Sequence, residues 1–392
     1  MENSKGELKL NQISTINENY LIDLKERILD KLVEEGFSII NGRIISNFND
    51  KNFIRKLHLS AVKYLIEKKM NFIDKVDDRF INKYIINGKE LDIKNIKPKL
   101  VKINSQEFSE LFNWVKLHWS IPISSGYGRR LRYLVYDEGN YALIGIIGLS
   151  DPVFALKDRD TYIGWDLETK KINLKHLMDA FVVGAVPPYS YILGGKLVAS
   201  LLMSPRIVKD FKNKYKNTKT LISNQVFNGK LVAITTASAL GKSSIYDRIK
   251  IPGSSEFLHI GWTKGSGEFQ FLNELYDEIL RIVKDTGIST KNPKWGYGNR
   301  NRRKVLQIGF KILGLPDTLL YHNIKRELFL IPLGEKSLEF LRGRSKIIKY
   351  YNLPEENISE FALRRWVIPR SERDKKFLLF NKKDYSLMTN IK

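Results

Sequence analysis

RLRYLVYDEGNYALIGIIGLS, residues 130–150, decides the fold. Polar and apolar side chains alternate at its start. Glu138, Gly139 and Asn140 supply a turn, and an apolar run follows. That pattern predicts a β-hairpin. Downstream, RDTYIGWDL (159–167) reads as a further short strand, and NLKHLMDAFVVGAV (173–186) as a helix capped by Asn173 that runs into a strand. LGGKLVASLLMSPRIVKDFKNKYKN (193–217) is predicted to be one helix after a Gly–Gly turn, and KLVAITTAS (230–238) a β-branched strand. SSIYDRIK (243–250) reads as a short helix, and FLHIGWTKGSGEFQF (257–271) as two strands about a Gly–Ser–Gly turn. Strands and helices in this order predict an α/β (α+β) domain with one mixed sheet, not an all-β sandwich.

On either side the chain turns helical. Residues 16–36 place Leu21, Leu24, Ile28, Leu29 and Leu32 at helical spacing, with Gly36 as the stop. A second amphipathic helix starts at Asn49 or Asp50, either of which can cap it. ELYDEILRIVKDTG (274–287) is a third, ending at Gly287. The expected organisation is a helical N-terminal module (1–109), the α/β core (110–275) and a basic, mostly helical C-terminal region (276–392).

The composition bounds the function. With 43% hydrophobic residues the chain can bury a real core. It has no cysteine, which excludes disulfides, thiolate metal sites and a cysteine nucleophile. No apolar run is long enough to span a bilayer. The opening MENSKGELKLNQ lacks the apolar stretch of a secretory leader, so a cytoplasmic protein without a membrane partner is expected. Against 43 Asp and Glu stand 66 Lys and Arg, a net charge of +23. Such a surplus favours a polyanion, because binding it releases condensed counterions. Nucleic acid, DNA before RNA, is the expected partner.

Six dense segments carry a resemblance. They are GYGRRLRYLVYDE (126–138), GLSDPVFALKDRDTYIGWD (148–166), MDAFVVGAVPPYSYILGGKLVASLLMS (178–204), TTASALGKSSIYDRIK (235–250), GWTKGSGEFQF (261–271) and LLYHNIKRELFLIPLGEKSLEFLRG (319–343). Over roughly 110–345 the chain resembles the DruA family, a component of the Druantia anti-phage defence systems whose relatives also occur beside or fused to transposases. The resemblance implies a defence component that works with other proteins of the system, a helicase-like protein among them. It implies no catalytic assignment. A weaker resemblance, to the core of GNAT acyltransferases and the related phage Mom DNA-modifying proteins, lies in a strand, a Gly–Gly turn opening a helix, a β-branched strand, a short Tyr-containing helix and a closing strand. It would place an anion at Gly194, Gly195 and Lys196, since helix N-termini attract anions. The acyl-coenzyme A loop of that superfamily has Arg or Gln at its first position and Gly or Ala at its last, where this chain has Tyr191 and Lys196.

Other chemistry is sparse. ALGKSS lacks the first glycine of a phosphate loop, which would fall at Thr236. The candidates for a catalytic role are Asp158, Asp160, Asp179 and Tyr246; acids gathered about a metal would suit a nuclease, whereas Asp158–Arg159–Asp160 also suits a salt-bridge network. No histidine pair has metal-ligand spacing, so no metal and no cofactor is assigned. The basic, aromatic-interleaved stretch 291–304 is the stronger signal, with Lys294, Trp295, Tyr297, Arg300, Arg302, Arg303 and Lys304. Guanidinium groups grip phosphates bidentately and aromatic rings stack on unpaired bases. Arg129, Arg130 and Arg132 straddle the start of a strand, where alternate residues share a face. The leading expectation is a nucleic-acid-engaging defence component. The alternatives are a group-transfer enzyme acting on DNA and a transposon-associated DNA-binding accessory.

Overall fold

The computed structural model describes residues 17–45, 50–219, 226–287 and 299–389. The chain divides into two compact units interleaved in sequence: Met1–Glu67, Ser120–Pro122 and Lys264–Ile324 form one, and Lys68–Trp119, Ile123–Thr263 and Lys325–Lys392 the other.

The first unit is helical. Helix α1 (Glu18–Glu34) is capped by Asn17 and buries Leu24, Ile28 and Leu32, the expected stripe. Gly36, at φ +102°, ends it. Strands β1 (Ser38–Ile40) and β2 (Arg43–Ile45) form a hairpin turned by Asn41 and Gly42, both at positive φ. That is the Asn–Gly turn whose twist suits a hairpin. Asp50 caps α2 (Lys51–Leu57), and α3 (Leu59–Glu67) follows. The helix Glu274–Asp285 ends before Gly287, as expected. Its Glu278 receives two bonds from Arg27, at 2.8 and 2.7 Å, which hold the Glu278 carboxyl below its usual range.

The second unit is mixed α/β and carries the large sheet. Its elements run α4 (Met70–Tyr84), β3 (Pro98–Lys102), α5 (Gln106–Leu117), β4 (Arg130–Asp137) and β5 (Ala142–Ser150). They continue with α6 (Lys157–Ile163), α7 (Leu167–Asn173), β6 (Leu177–Ala185), α8 (Gly194–Ser200) and α9 (Pro205–Tyr215), then β7 (Ala233–Ala237), β8 (Leu258–Trp262) and β9 (Glu327–Pro332). The order across the sheet is β3-β4-β5-β6-β7-β9-β8. Only β6 and β7 pair parallel; the other five pairings are antiparallel. The 130–150 hairpin is therefore the β4–β5 pair. All nine residues of β5 are buried, because helices cover both faces. On one face Leu131, Tyr133, Val135 and Ile144 pack with Leu197 and Val198 of α8. On the other, Arg132 reaches over the Phe112 ring of α5. Each such buried Ile or Leu contributes roughly 1.5–3 kcal/mol.

Several local expectations are corrected. Segment 159–167 is not a strand but the end of α6 and the start of α7. The Arg159 guanidinium is fully buried and donates to the carbonyls of Val153 and Phe154 and to Asp160. That wrap needs helical geometry, which a short alternating stretch does not reveal. The helix expected after Asn173 is only a 3-10 turn, Leu174–His176, that Asn173 does not cap with its side chain; Asn173 closes α7, which Asp166 caps, and its amide donates to the Leu341 carbonyl. Segment 193–217 is two helices, α8 and α9, parted by Ser204–Pro205; the proline takes the first turn of α9 and Ser204 caps it. Residues 243–250 form no helix. Ser243 Oγ accepts from the N–H groups of Ile245 and Tyr246, and Arg248 sits at φ +67°. Segment 257–271 gives one strand, β8, and a 3-10 turn at Phe269–Phe271. The sheet also recruits β3 from within 1–109 and β9 from within 276–392.

Asp77 of α4 ties the C-terminal segment to the second unit. Its buried carboxylate accepts from Trp114 Nε1 at 2.6 Å and Ser386 Oγ at 2.7 Å. An acceptor removed from a buried donor costs about 1–3 kcal/mol. Asp77→Ala should therefore lower the melting temperature by several degrees and expose residues 376–389 to limited proteolysis read by mass spectrometry, while Asp77→Asn retains part of the stability.

Candidate functional site

The period of β4 builds the site. Leu131, Tyr133 and Val135 enter the core, which sends Arg130 and Arg132 to the opposite face. Neighbouring β3 brings Lys102, paired in register with Tyr133, and the Ile103 N–H donates to the Arg132 carbonyl at 2.9 Å. From α9, Lys214 Nζ donates to the Arg130 carbonyl at 2.9 Å. Tyr215 next to it bonds both backbone groups of Arg130, at 2.6 and 2.8 Å. Residues Lys102, Ile103, Arg130, Leu131, Arg132 and Lys214 line a cleft of about 280 Å³ where β3 ends and β4 begins. Lys116 of α5, half-buried, sits close enough to Arg132 and Arg130 to feel their charge.

The cleft is short of counter-charge. Lys102 lies 3.7 Å from Asp210, whereas Arg130, Arg132, Lys116 and Lys214 make no ion pair among the described residues. The titration of the group reflects this. Burial, then Arg132, Arg130 and Lys69, push the Lys116 amine down to about 8. Burial and Arg130 lower Arg132; burial, Lys102 and Arg132 lower Lys214. Crowded like charges disfavour the charged form, and a bound polyanion would relieve all of them at once.

Arg129, the third arginine of the predicted trio, behaves differently. Its Nε donates to Asp151 Oδ1 at 2.7 Å, and its guanidinium stands 5.0–5.7 Å from the Phe211, Tyr215 and Phe227 rings. It is a packing residue. Of the predicted 291–304 stretch, Lys294, Trp295 and Tyr297 lie outside the described residues, as does the side chain of Arg300. Arg302, Arg303 and Lys304 belong to the helix Asn299–Leu313 of the first unit. Arg303 is 3.6 Å from Glu268, and Arg302 also acts on that carboxyl. Lys304 is exposed.

The catalytic candidates do not gather. Asp158 Oδ2 accepts from the Trp262 N–H at 2.8 Å. Asp160 accepts from Arg159 and Lys170. Asp179 accepts from Thr235 Oγ1 at 2.8 Å, and burial pushes its carboxyl up to about 6 against the pull of Thr235 and Arg159. Tyr246 is on the other face of the sheet, stacked on Phe257 and edge-on to Phe329. Among the described residues no group of His, Asp or Glu could hold a metal ion, and no helix is long and apolar enough to cross a membrane. Gly194, Gly195 and Lys196 offer no open helix end. The 3-10 turn Tyr189–Ile192 leads into α8, and a Cβ on Gly194 would lie 2.6 Å from the Tyr189 carbonyl oxygen. Lys196 Nζ donates to the carbonyls of Ile245 and Asp247, at 2.6 and 2.9 Å.

Sequence reasoning missed Lys102, Lys116 and Lys214. The signal available was weak: Lys214 in KNKYK, and a β3 hidden in a stretch read as helical.

The family model described as "Druantia protein DruA" matches residues 49–343, which takes in the whole cleft. A relative from Escherichia coli (strain UMEA 4076-1) with that same description is 37% identical over 365 residues, covering 92% of this chain and 90% of the relative. No solved structure matches.

The titration of Lys116 yields a signed expectation. Its folded-state value lies below its ordinary 10.5, so protonation favours the unfolded chain; the loss of stability is full below about pH 8 and fades as pH rises towards 10.5. Lys116→Met should raise the melting temperature by a few degrees at pH 7, and the gain should shrink steadily from pH 8 to pH 10 in thermal melts.

Proposed function

The chain belongs to the DruA family, and on that premise we propose that it is a component of a Druantia-type anti-phage defence system that holds nucleic acid in the Lys102–Arg130–Arg132–Lys214 cleft. One observation carries the reading: four cations from three separate elements converge, and only Lys102 has an acid, Asp210, nearby. Proteins ordinarily neutralise or disperse such groups. Phosphates would satisfy them with charge-assisted bonds, bidentate where a guanidinium is involved. The net charge of +23 adds long-range attraction to the same partner. DNA is the first ligand to test. The family membership supports action beside other proteins of such a system, a helicase-like protein included, in the cytoplasm.

The group-transfer alternative draws less support. It would need an open phosphate-binding turn ahead of α8, where the 3-10 turn and the bonds of Lys196 instead close the space. Acyl-coenzyme A should accordingly leave the melting temperature unchanged.

The triple variant Arg130→Ala/Arg132→Ala/Lys214→Ala should bind labelled DNA at least tenfold more weakly at about 50 mM salt, and its slope of log affinity against log salt should flatten by about 2–3. Arg129→Ala should instead lower the melting temperature and leave that slope close to the parent's. Fluorescence anisotropy across a salt series reads both, and an unflattened slope in the triple variant overturns the reading.

A further inference from the structure

The four cations of the cleft account for phosphate binding, and Lys116 stands beside them without a part in it. We propose that Lys116 is a nucleophile that forms a Schiff base with the aldehyde of a baseless deoxyribose and so cleaves the strand at that sugar. The inference rests on the cleft reading above and names a substrate class for it.

Lys116 lies in the last turn of α5, one helical turn past Phe112. Its Nζ stands 5.7 Å from the centre of the Phe112 ring, and the Arg132 guanidinium stands 5.5 Å from the same ring. Phe112 is fully buried, and Arg132 walls the cleft. Helix and ring thus carry the amine to the cleft, yet no oxygen holds it there. Among the described residues Lys116 Nζ has neither a hydrogen bond nor an ion pair. Lys102 stands near Asp210, and Lys214 donates to the Arg130 carbonyl. The end of a helix ordinarily favours a cation. Here burial, then the charges of Arg132, Arg130 and Lys69, outweigh that preference and bring the amine down to about 8. A lysine that is buried beside other cations keeps a usable lone pair near neutral pH, which is how Schiff-base lysines are activated. Bound phosphates would offset the neighbouring charges, but burial is the larger cause, and a bound strand deepens it.

The substrate must bring an aldehyde and phosphates together, as a strand that has lost a base does. Its ring-opened sugar has a carbonyl at C1′ and phosphates on both sides for Arg130 and Arg132 to grip. The Lys116 lone pair attacks C1′, a carbon–nitrogen bond forms, and the amine proton passes to the carbonyl oxygen. That hydroxyl takes a proton from solvent and leaves as water, which gives a protonated imine. The imine acidifies the C2′ hydrogen, and water removes it as a proton. The electrons left on C2′ form a double bond to C3′, and the 3′-phosphate departs with the C3′–O pair. A second water hydrolyses the imine, releasing an unsaturated aldehyde and restoring the Lys116 amine. The balance needs no oxidant or reductant.

The test uses the full-length protein and two labelled single strands. One has an internal baseless deoxyribose; the other has a tetrahydrofuran in its place, which lacks the aldehyde. With cyanoborohydride present, the first strand should become covalently attached on a denaturing gel and the second should not. Peptide mass mapping should place the adduct on Lys116. Without the reductant, the first strand should be cut on the 3′ side of the sugar. Lys116→Arg and Lys116→Met should each lower the adduct formed per bound strand by at least about tenfold. An adduct that persists in both variants, or that spreads over several lysines, overturns the proposal. So does a parent protein that binds the tetrahydrofuran strand yet traps nothing. Failure of the cleft reading looks different: Arg130→Ala/Arg132→Ala would then bind the tetrahydrofuran strand as the parent does. A parent protein that binds neither strand overturns both.

Discussion

Asp151 against Arg129 is the contact on which the arrangement of the second unit's basic surface depends. The carboxylate stands just past the end of β5 and accepts from both the backbone N–H and the side chain of Arg129, at 2.9 and 2.7 Å. It therefore fixes the beginning of β4 to the end of β5. Its own N–H holds the loop of Tyr127. The guanidinium meanwhile lies over Phe211 and Phe227, which seats α9 and with it Lys214 and Tyr215. A half-buried pair with aromatic cover is stronger than a solvent-exposed one, and breaking one partner leaves the other charge stranded. One ion pair thus sets strand register, loop position and helix seating together.

Around that anchor the chain tolerates a local conflict. Lys116, Arg132 and Lys214 all have lowered proton affinities because each is partly buried among like charges. Burial among like charges is a cost that folding alone does not explain, and it is largest at Lys116. Sites that violate the rules a core obeys are where a ligand is expected to complete the structure. The acids read as catalytic candidates show the opposite pattern. Asp158 and Asp160 are each bonded to groups that hold α6 against β8 and its own N-terminus, so their chemistry is consumed within the fold.

The legibility of the sequence follows the range of the forces involved. The β4–β5 hairpin, α1 with its buried Leu24, Ile28 and Leu32, and the stop at Gly287 are local features, and each was readable from spacing and turn chemistry. Segment 159–167 was not, because what makes it helical is Arg159 folding back on Val153 and Phe154, a choice made by burial. Residues 243–250 were not, because Ser243 caps a turn that Arg248 at positive φ cannot continue into a helix. The cleft was half legible. Arg130 and Arg132 share a face by strand period, which sequence shows; Lys102, Lys116 and Lys214 join them only through the pairing of β3 and the packing of α5 and α9.

Adjacent arginines make the broader point. Arg129 and Arg130 are neighbours with the same chemistry, yet one is stacked and paired while the other is exposed without a carboxylate. The same division recurs across the unit: Arg159 and Lys196 bind carbonyls, and Lys230 donates to the Lys346 carbonyl. A count of cations therefore overstates the charge offered to a polyanion, and clustering in sequence does not rank it correctly. What ranks it is whether each positive group already has an oxygen to bind. By that measure Arg130 and Arg132 make no ion pair among the described residues, whereas Lys102 stands 3.7 Å from Asp210 and Lys214 already donates to the Arg130 carbonyl.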